Sequence, residues 1–167
     1  MRFIILALLT FLGLFLQTTF FGAFTIRGAI PDMLLVLVIF YALFNGANKG
    51  IIYGVICGLL EDLYIGRFIG VNSISKGITA YIVGRLQGNV FKENLLVGII
   101  SVVGGTLLNS LIILVLSMKS IVVSNLDQSI LLNILYQGIY NTLIAIPMYI
   151  WYYRSSNRGI LKKTGER

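Results

Sequence analysis

The chain has 167 residues, of which 57% are hydrophobic and 11% are charged, and its mean hydropathy is +0.93. A soluble globular domain is about half apolar and about a quarter charged, so this composition excludes an ordinary water-soluble domain and predicts an integral membrane protein. The single cysteine, Cys57, excludes a disulfide or a cysteine metal site within one chain. In such a chain a net charge of +7 indicates membrane topology rather than nucleic-acid binding.

The first predicted helix, residues 3–24, carries no charge and is long enough for a bilayer core, which needs roughly 20 helical residues. Its start resembles a signal peptide but lacks an A-x-A-like cleavage site, so we expect a retained helix. The next apolar stretch, residues 31–64, is too long for one span, and turn-forming residues at 45–50 predict a break that leaves two short helices. These helices either cross a locally thinned bilayer or form a re-entrant hairpin, and we favour two spans.

Three more helices are predicted over residues 71–90, 95–118 and 130–153. We expect Pro147 to kink the last one. Aromatic residues crowd its end, as is typical of a belt at the lipid headgroups; they are Tyr149, Trp151, Tyr152 and Tyr153. The sequence therefore predicts an all-α integral membrane protein with about six transmembrane helices, one membrane domain (residues 1–153) and a basic cytoplasmic tail (residues 154–167).

An even number of crossings places both termini on one side, and the basic residues indicate which side. With the N-terminus inside, nine basic residues lie on the inner side and four on the outer side, which predicts that both termini are cytoplasmic. The tail could also lie on anionic lipid headgroups. The inner set is Arg2, Lys49, Arg85, Lys92, Arg154, Arg158, Lys162, Lys163 and Arg167, and the outer set is Arg27, Arg67, Lys76 and Lys119.

Glycines recur at intervals of four on one face of the third predicted helix, and more follow on the fourth. Small residues let helix backbones approach closely in a membrane. We favour helix packing within the chain over an interface with another protein. The residues are Gly46, Gly50, Gly54 and Gly58, followed by Gly77, Gly84 and Gly88.

Ionisable residues lie near the ends of the third and fourth helices. Asp62 and Lys76 are both expected at the outer side, and we predict that they form an ion pair, with a partner or ligand contact as the alternative. Arg85 belongs to the inner end, where its side chain can extend to the interface. Glu61 precedes Asp62, but adjacent residues on a helix do not face each other. The chain also contains no histidine, so we predict no acid/base site.

A polar series on the last helix, Asn133, Gln137 and Asn141, also recurs at intervals of four. We favour hydrogen bonds between helices, with Asn109 as a possible partner, over a solute pocket. The chain contains no nucleotide-binding loop, no zinc-protease motif and no serine-nucleophile motif. We therefore predict no catalytic residue, no cofactor and no metal ion.

Five short segments between residues 31 and 86 combine small, apolar and polar residues: PDMLLV (31–36), FYAL (40–43), GVICGLLEDL (54–63), GVNSISK (70–76) and GRL (84–86). In their order and spacing they resemble the MreD family of bacterial rod shape-determining membrane proteins. The resemblance implies a multi-pass, non-enzymatic component of the cell-elongation machinery in the bacterial cytoplasmic membrane. It also implies that the protein binds MreC and, through MreC, acts with MreB, RodA and the transpeptidase of RodA in directing lateral peptidoglycan synthesis. Nucleic acid is not an expected partner.

The family has no established catalytic residues, but four positions match its more distinctive polar residues and are candidates for a role: Asp62, Asn72, Lys76 and Arg85. The family is also similar in fold to the membrane-embedded S components of energy-coupling-factor transporters. This similarity supplies an alternative hypothesis, a subunit that binds a small solute.

Overall fold

The structure is a computed structural model that describes residues 2–23, 25, 28–66, 69–86, 94–118 and 128–158. These residues form six helices. Helix α1 (Arg2–Phe15) continues through a π-helical stretch (Leu16–Phe20) and a last α-helical turn (Phe21–Ala23), and α2 (Met33–Asn45), α3 (Ala47–Ile65), α4 (Val71–Arg85), α5 (Leu95–Met118) and α6 (Gln128–Arg158) follow. The predicted all-helical class is confirmed.

Two helical stretches, Ile4–Ala23 and Leu95–Ser117, are long and apolar enough to cross a membrane. The predicted break is confirmed at Gly46, which adopts a φ of 90° between α2 and α3. The two helices are less equal than expected, with 13 and 19 residues. Helix α6 is longer at both ends than predicted.

Several predicted features lie outside the described residues. They are Gly88, the basic residues Arg27, Arg67, Lys92 and Lys119, and the last nine residues of the tail.

Helix α2 lies at the centre of the bundle and contacts each of the other five helices. From Leu34 to Phe44 every residue is at most 7% exposed. A helix that is apolar on all sides requires neighbours on all sides. The surrounding helices expose large apolar side chains instead, such as Leu8, Ile100 and Leu135, each at least 58% exposed, as expected for surfaces that face lipid.

Helices α2, α3 and α4 form two successive antiparallel hairpins. Across the first hairpin the rings of Tyr41 and Tyr53 lie 4.5 Å apart, and Gly50 packs against Ala42, to which an added Cβ would come within 2.7 Å. At the far end of this hairpin, Asp32 lies at the same level as Glu61. Helix α3 therefore runs antiparallel to α2 along the whole length of α2.

The second hairpin depends on glycines. Gly54 and Gly58 lie against the backbone of α4, and Gly84 lies against Ala47 at the start of α3, where an added Cβ would be 2.5 Å from its Cα. On α4, Gly77 meets the side chain of Val55. These glycines contact other helices of the same chain, as small residues allow, whereas Gly46 forms the hinge.

Aromatic rings fill the bundle where α2 meets the last third of α6. Phe40 lies 5.5 Å from Tyr149, and Phe44 lies 5.3 Å from Tyr152, between ring centroids. The two tyrosines are 3% and 2% exposed. The predicted aromatic belt is therefore wrong for these two residues, which pack inward, while Trp151 remains 45% exposed.

Candidate functional site

Three buried charged side chains meet at the end of the bundle opposite the first residues of α1. The Lys76 ammonium, on α4, lies 2.6 Å from Asp32 Oδ2 and 2.6 Å from Glu61 Oε2. The Lys76 side chain is fully buried, and the two carboxylate side chains are 7% and 6% exposed. We call Asp32, Glu61 and Lys76 the charged triad. It joins the start of α2, the end of α3 and the start of α4.

The predicted ion pair between Asp62 and Lys76 is wrong. Asp62 instead accepts hydrogen bonds from the backbone N–H groups of Gly70, Asn72 and Ser73, at 2.8, 3.1 and 3.0 Å, and from the Asn72 amide at 2.9 Å. A carboxylate in this position satisfies free N–H groups at a helix start. Because adjacent residues on a helix point in different directions, Glu61 faces the lysine while Asp62 faces the first residues of α4.

Amide side chains from the outer helices support the triad. Gln17, in the π-helical part of the first helix, donates to Glu61 Oε1 at 2.8 Å. Asn141 on α6 accepts the Asp32 backbone N–H at 2.8 Å and donates to Thr106 on α5 at 3.0 Å. All six helices therefore connect at this level, through the triad and its hydrogen bonds.

The triad carries one negative charge in excess when both carboxylates are ionised. Asp32 uses its second oxygen to accept the Leu35 N–H at 2.8 Å, which caps α2. Buried charges are tolerated only when they are paired and their remaining hydrogen bonds are made. The arrangement meets this condition for all three side chains, since Lys76 contacts both carboxylates and Glu61 also accepts a hydrogen bond from Gln17. The two carboxylates nevertheless share a single counter-charge.

A cavity of about 580 Å³ opens beside the triad. Asp32 and Glu61 line it, whereas Lys76 lies behind them and is not among its lining residues. Five amide side chains add polar groups to the wall: Gln17, Asn72, Asn109, Asn133 and Gln137. Its volume is within the range of about 300–1,000 Å³ that small-molecule sites occupy.

One wall residue has an unmet hydrogen bond. Asn109 on α5 is 3% exposed, and its Oδ1 is buried without a hydrogen-bond partner. The predicted bond between Asn109 and the polar series is not formed by Asn141, which donates to Thr106 instead. The cavity wall thus contains a buried acceptor that the protein itself leaves unsatisfied.

The polar series on α6 divides between the two roles considered for it. Asn141 is fully buried and makes hydrogen bonds to α2 and α5. Gln137 donates to the Ile30 carbonyl at 3.3 Å and also lines the cavity. Asn133 is exposed on the cavity wall. Asn141 therefore holds helices together, whereas Gln137 and Asn133 face the open space of the cavity.

Two further candidate residues lie at different ends of α4. Asn72 lines the cavity and donates to Asp62. Arg85 is exposed at the opposite end, where its guanidinium lies over the Tyr81 ring, 5.0 Å from the centroid, and donates to the Tyr81 hydroxyl. The four polar candidates thus do not form one site.

Sequence reasoning missed Asp32, Glu61 and Gln17 as partners. Each had a signal: Gln17 is a strongly polar side chain inside an apolar helix, and Asp32 and Glu61 are acids at the ends of apolar segments. Ionisable groups in a membrane are expected to pair. To choose between Glu61 and Asp62 as the partner of Lys76, one must know how α3 is rotated about its axis, and a hydropathy pattern does not show this rotation.

A second cavity, of about 450 Å³, lies between α1 and α3. Its wall is mainly apolar, with Lys49 as its charged lining residue and Thr10 bonded to the Tyr53 hydroxyl at 2.8 Å. Among the described residues no group of three or more His, Cys, Asp or Glu side chains could hold a metal ion.

Comparison with protein families agrees with this helical membrane architecture. A family model described as rod shape-determining protein MreD matches residues 1–156, which include every helix except the last two residues of α6. No curated protein and no solved structure matches the chain. Since the family model covers nearly the whole chain, the chain belongs to the MreD family of rod shape-determining proteins.

Proposed function

We propose that this protein is a non-enzymatic scaffold of the bacterial cell-elongation machinery. It binds MreC and, through MreC, acts with MreB, RodA and the transpeptidase of RodA in directing lateral peptidoglycan synthesis. The observation that carries the proposal is the match to the rod shape-determining family over residues 1–156. A scaffold needs a fixed shape, and the central helix, which contacts all five other helices, supplies one.

We further propose that all six helices cross the bacterial cytoplasmic membrane and that both termini are cytoplasmic, with the membrane domain at residues 1–153 and the basic tail at 154–167. The even number of helices among the described residues and the nine-to-four distribution of basic residues support this topology. Helix α2 is only about 20 Å long at 1.5 Å per residue. Because other helices enclose it, its short length exposes no backbone to lipid.

The polar candidates serve the scaffold in different ways. Lys76 and Asp62 are fully or almost fully buried with partners inside the chain, so they act on partner binding through the fold. Arg85 is exposed at the end that we place in the cytoplasm. It is the polar candidate best placed for direct contact with a cytoplasmic segment of a partner.

Co-purification tests this function. We expect MreC to co-purify with the protein in mild detergent and depletion of the protein to make rod-shaped cells round. The variant Arg85→Gln should reduce co-purification of MreC, while Lys49→Gln, an exposed lysine on the neighbouring helix, should not. Unchanged cell shape on depletion, together with no co-purified MreC, would refute the scaffold.

Reporter fusions test the topology separately. Reporters placed after Arg167 and at Lys49 should both indicate the cytoplasm. An external signal after Arg167, with the N-terminus inside, would require an odd number of crossings.

A second candidate function is a solute-binding subunit of a transporter of the energy-coupling-factor type. The cavity lined by Gln137 and Asn133 favours it. This function predicts saturable binding of a vitamin-like compound that raises the melting temperature. Binding should be lost in Gln137→Leu, and the absence of any stabilising compound of this class would refute it.

A further inference from the structure

We propose that the cavity beside the charged triad binds a molecule that carries a primary ammonium group. The site consists of the carboxylates of Asp32 and Glu61 and the side chain of Asn109. This inference concerns the chemistry of the ligand and holds independently of the scaffold function. It rests on the charge of the wall, the unmet hydrogen bond and the volume of the cavity.

The charge of the wall selects a cation. Two carboxylates line the cavity, and the ammonium that lies between them is fully buried behind the wall. When both carboxylates are ionised, one negative charge is left without a counter-charge of its own beside open space. A bound cation would supply that counter-charge, whereas an anion would meet two carboxylates and no accessible lysine at this position.

The hydrogen-bonding pattern selects a donor. Asn109 Oδ1 is a buried acceptor without a partner, and ionised carboxylates only accept. Two nearby side-chain amides already use a donor within the protein, since Gln17 donates to Glu61 and Asn141 donates to Thr106. An ammonium group carries three N–H donors and can therefore satisfy the acceptors that remain.

A metal ion fits the site less well. The described residues contain no group of three or more His, Cys, Asp or Glu side chains that could bind one. The cavity volume of about 580 Å³ also greatly exceeds a single ion or a single ammonium group. The ligand therefore has a larger polar body, which the amides of Asn72, Asn133 and Gln137 are placed to contact.

Two sources could present this chemistry, the headgroup of phosphatidylethanolamine or a free amine in solution. The test measures the melting temperature of the purified protein in mixed micelles of detergent with phosphatidylethanolamine or with phosphatidylcholine, whose quaternary ammonium has no N–H donor. A third sample contains water-soluble glycerophosphoethanolamine. Stabilisation by the lipid with the primary ammonium alone identifies a lipid site, and stabilisation by the soluble compound as well identifies a solute site.

Variants connect the effect to the cavity. Glu61→Gln removes the excess charge, and Asn109→Ala removes the free acceptor. Because each variant removes a hydrogen-bond acceptor or a charge that the ammonium group would contact, each should weaken binding about tenfold or more. Lys49→Gln and Asn45→Ala, at the other end of the bundle, are the matched controls and should keep the preference for the primary ammonium.

Each variant is compared with its own melting temperature without ligand, so a general loss of stability does not affect the result. Equal melting temperatures with the two lipids and no effect of glycerophosphoethanolamine would overturn the proposal. So would a preference for the primary ammonium that persists unchanged in both Glu61→Gln and Asn109→Ala.

Discussion

The two ends of α2 use different physical means to hold the same bundle together. At its start, Asp32 joins two other charged side chains beside a cavity. Toward its end, Phe40 and Phe44 pack against aromatic rings of α6. In lipid the hydrophobic effect does not favour contact between helices, so association depends on close packing and on polar bonds. The aromatic end is held together by close packing, whereas the charged end is held together by ion pairs and borders a cavity.

The largest expected effect is loss of the buried ammonium. In Lys76→Met the carboxylates of Asp32 and Glu61 remain buried without their counter-charge. Breaking a buried ion pair by removing one partner costs about 3–5 kcal/mol. We expect a loss of stability in this range, measured by denaturant unfolding in micelles.

Two further variants identify the cause of that loss. The triple variant that adds Asp32→Asn and Glu61→Gln should recover much of the lost stability, because no unpaired charge remains. Lys49→Met, at an exposed position, serves as the control and should change stability little. If Lys76→Met were as stable as the parent protein, charge would not hold this end of the bundle.

The aromatic end should depend on packing instead. Phe44 is 6% exposed and lies near the rings of Tyr149, Tyr152 and Tyr153. Phe44→Ala would leave a void, and such truncations cost about 3 kcal/mol or more. Ile134→Ala, in the wall of the cavity, should cost clearly less because its side chain already borders open space. Equal losses in unfolding experiments would contradict the difference between the ends.

The sequence was sufficient to predict the helices and the glycine face on which α3 packs, but not the partners of the charges. The break at Gly46 and the packing of Gly54 and Gly58 followed from turn chemistry and from spacing along one helix. The pairing of Lys76 depends on three segments at once. A rotation of α3 by one residue, about 100°, would exchange the roles of Glu61 and Asp62, and spacing alone does not determine that rotation.

The central place of α2 is another feature that helix prediction did not reveal. Its sequence is apolar on every side, which is compatible both with lipid and with protein neighbours. The short length of 13 residues favours protein neighbours, because a helix this short spans a bilayer poorly unless it is enclosed. For the polar series on α6 the sequence favoured hydrogen bonds between helices over a pocket. It did not show the cavity, because the wall combines residues from five helices with the segment that precedes α2.

The packing of α3 against α4 should be sensitive to the volume of the side chain at position 58. A Cβ at Gly58 would overlap the backbone of Asn72 and Ser73, which cannot move without separating α3 from α4. We expect Gly58→Ala to cost about 2 kcal/mol, typical of overpacking. Gly104→Ala is the matched control because nothing lies within 4 Å of its added Cβ. It should be neutral or slightly stabilising, and equal losses for both variants would contradict close packing as the cause.

The smallest expected effect distinguishes two residues of the polar series on α6: Asn141, which bonds helices together, and Asn133, which lines the cavity. Asn141→Leu would leave the Asp32 backbone N–H without its acceptor and Thr106 without its donor. Interhelical hydrogen bonds in membranes contribute about 0.6–2 kcal/mol, so we expect a loss of about 1 kcal/mol in unfolding experiments. Asn133→Leu, on the exposed cavity wall, should leave stability nearly unchanged. Because both variants replace an asparagine of the same helix with leucine, helix propensity cancels in the comparison. A loss in Asn133→Leu as large as in Asn141→Leu would mean that the cavity wall, like the triad, is needed to hold the bundle.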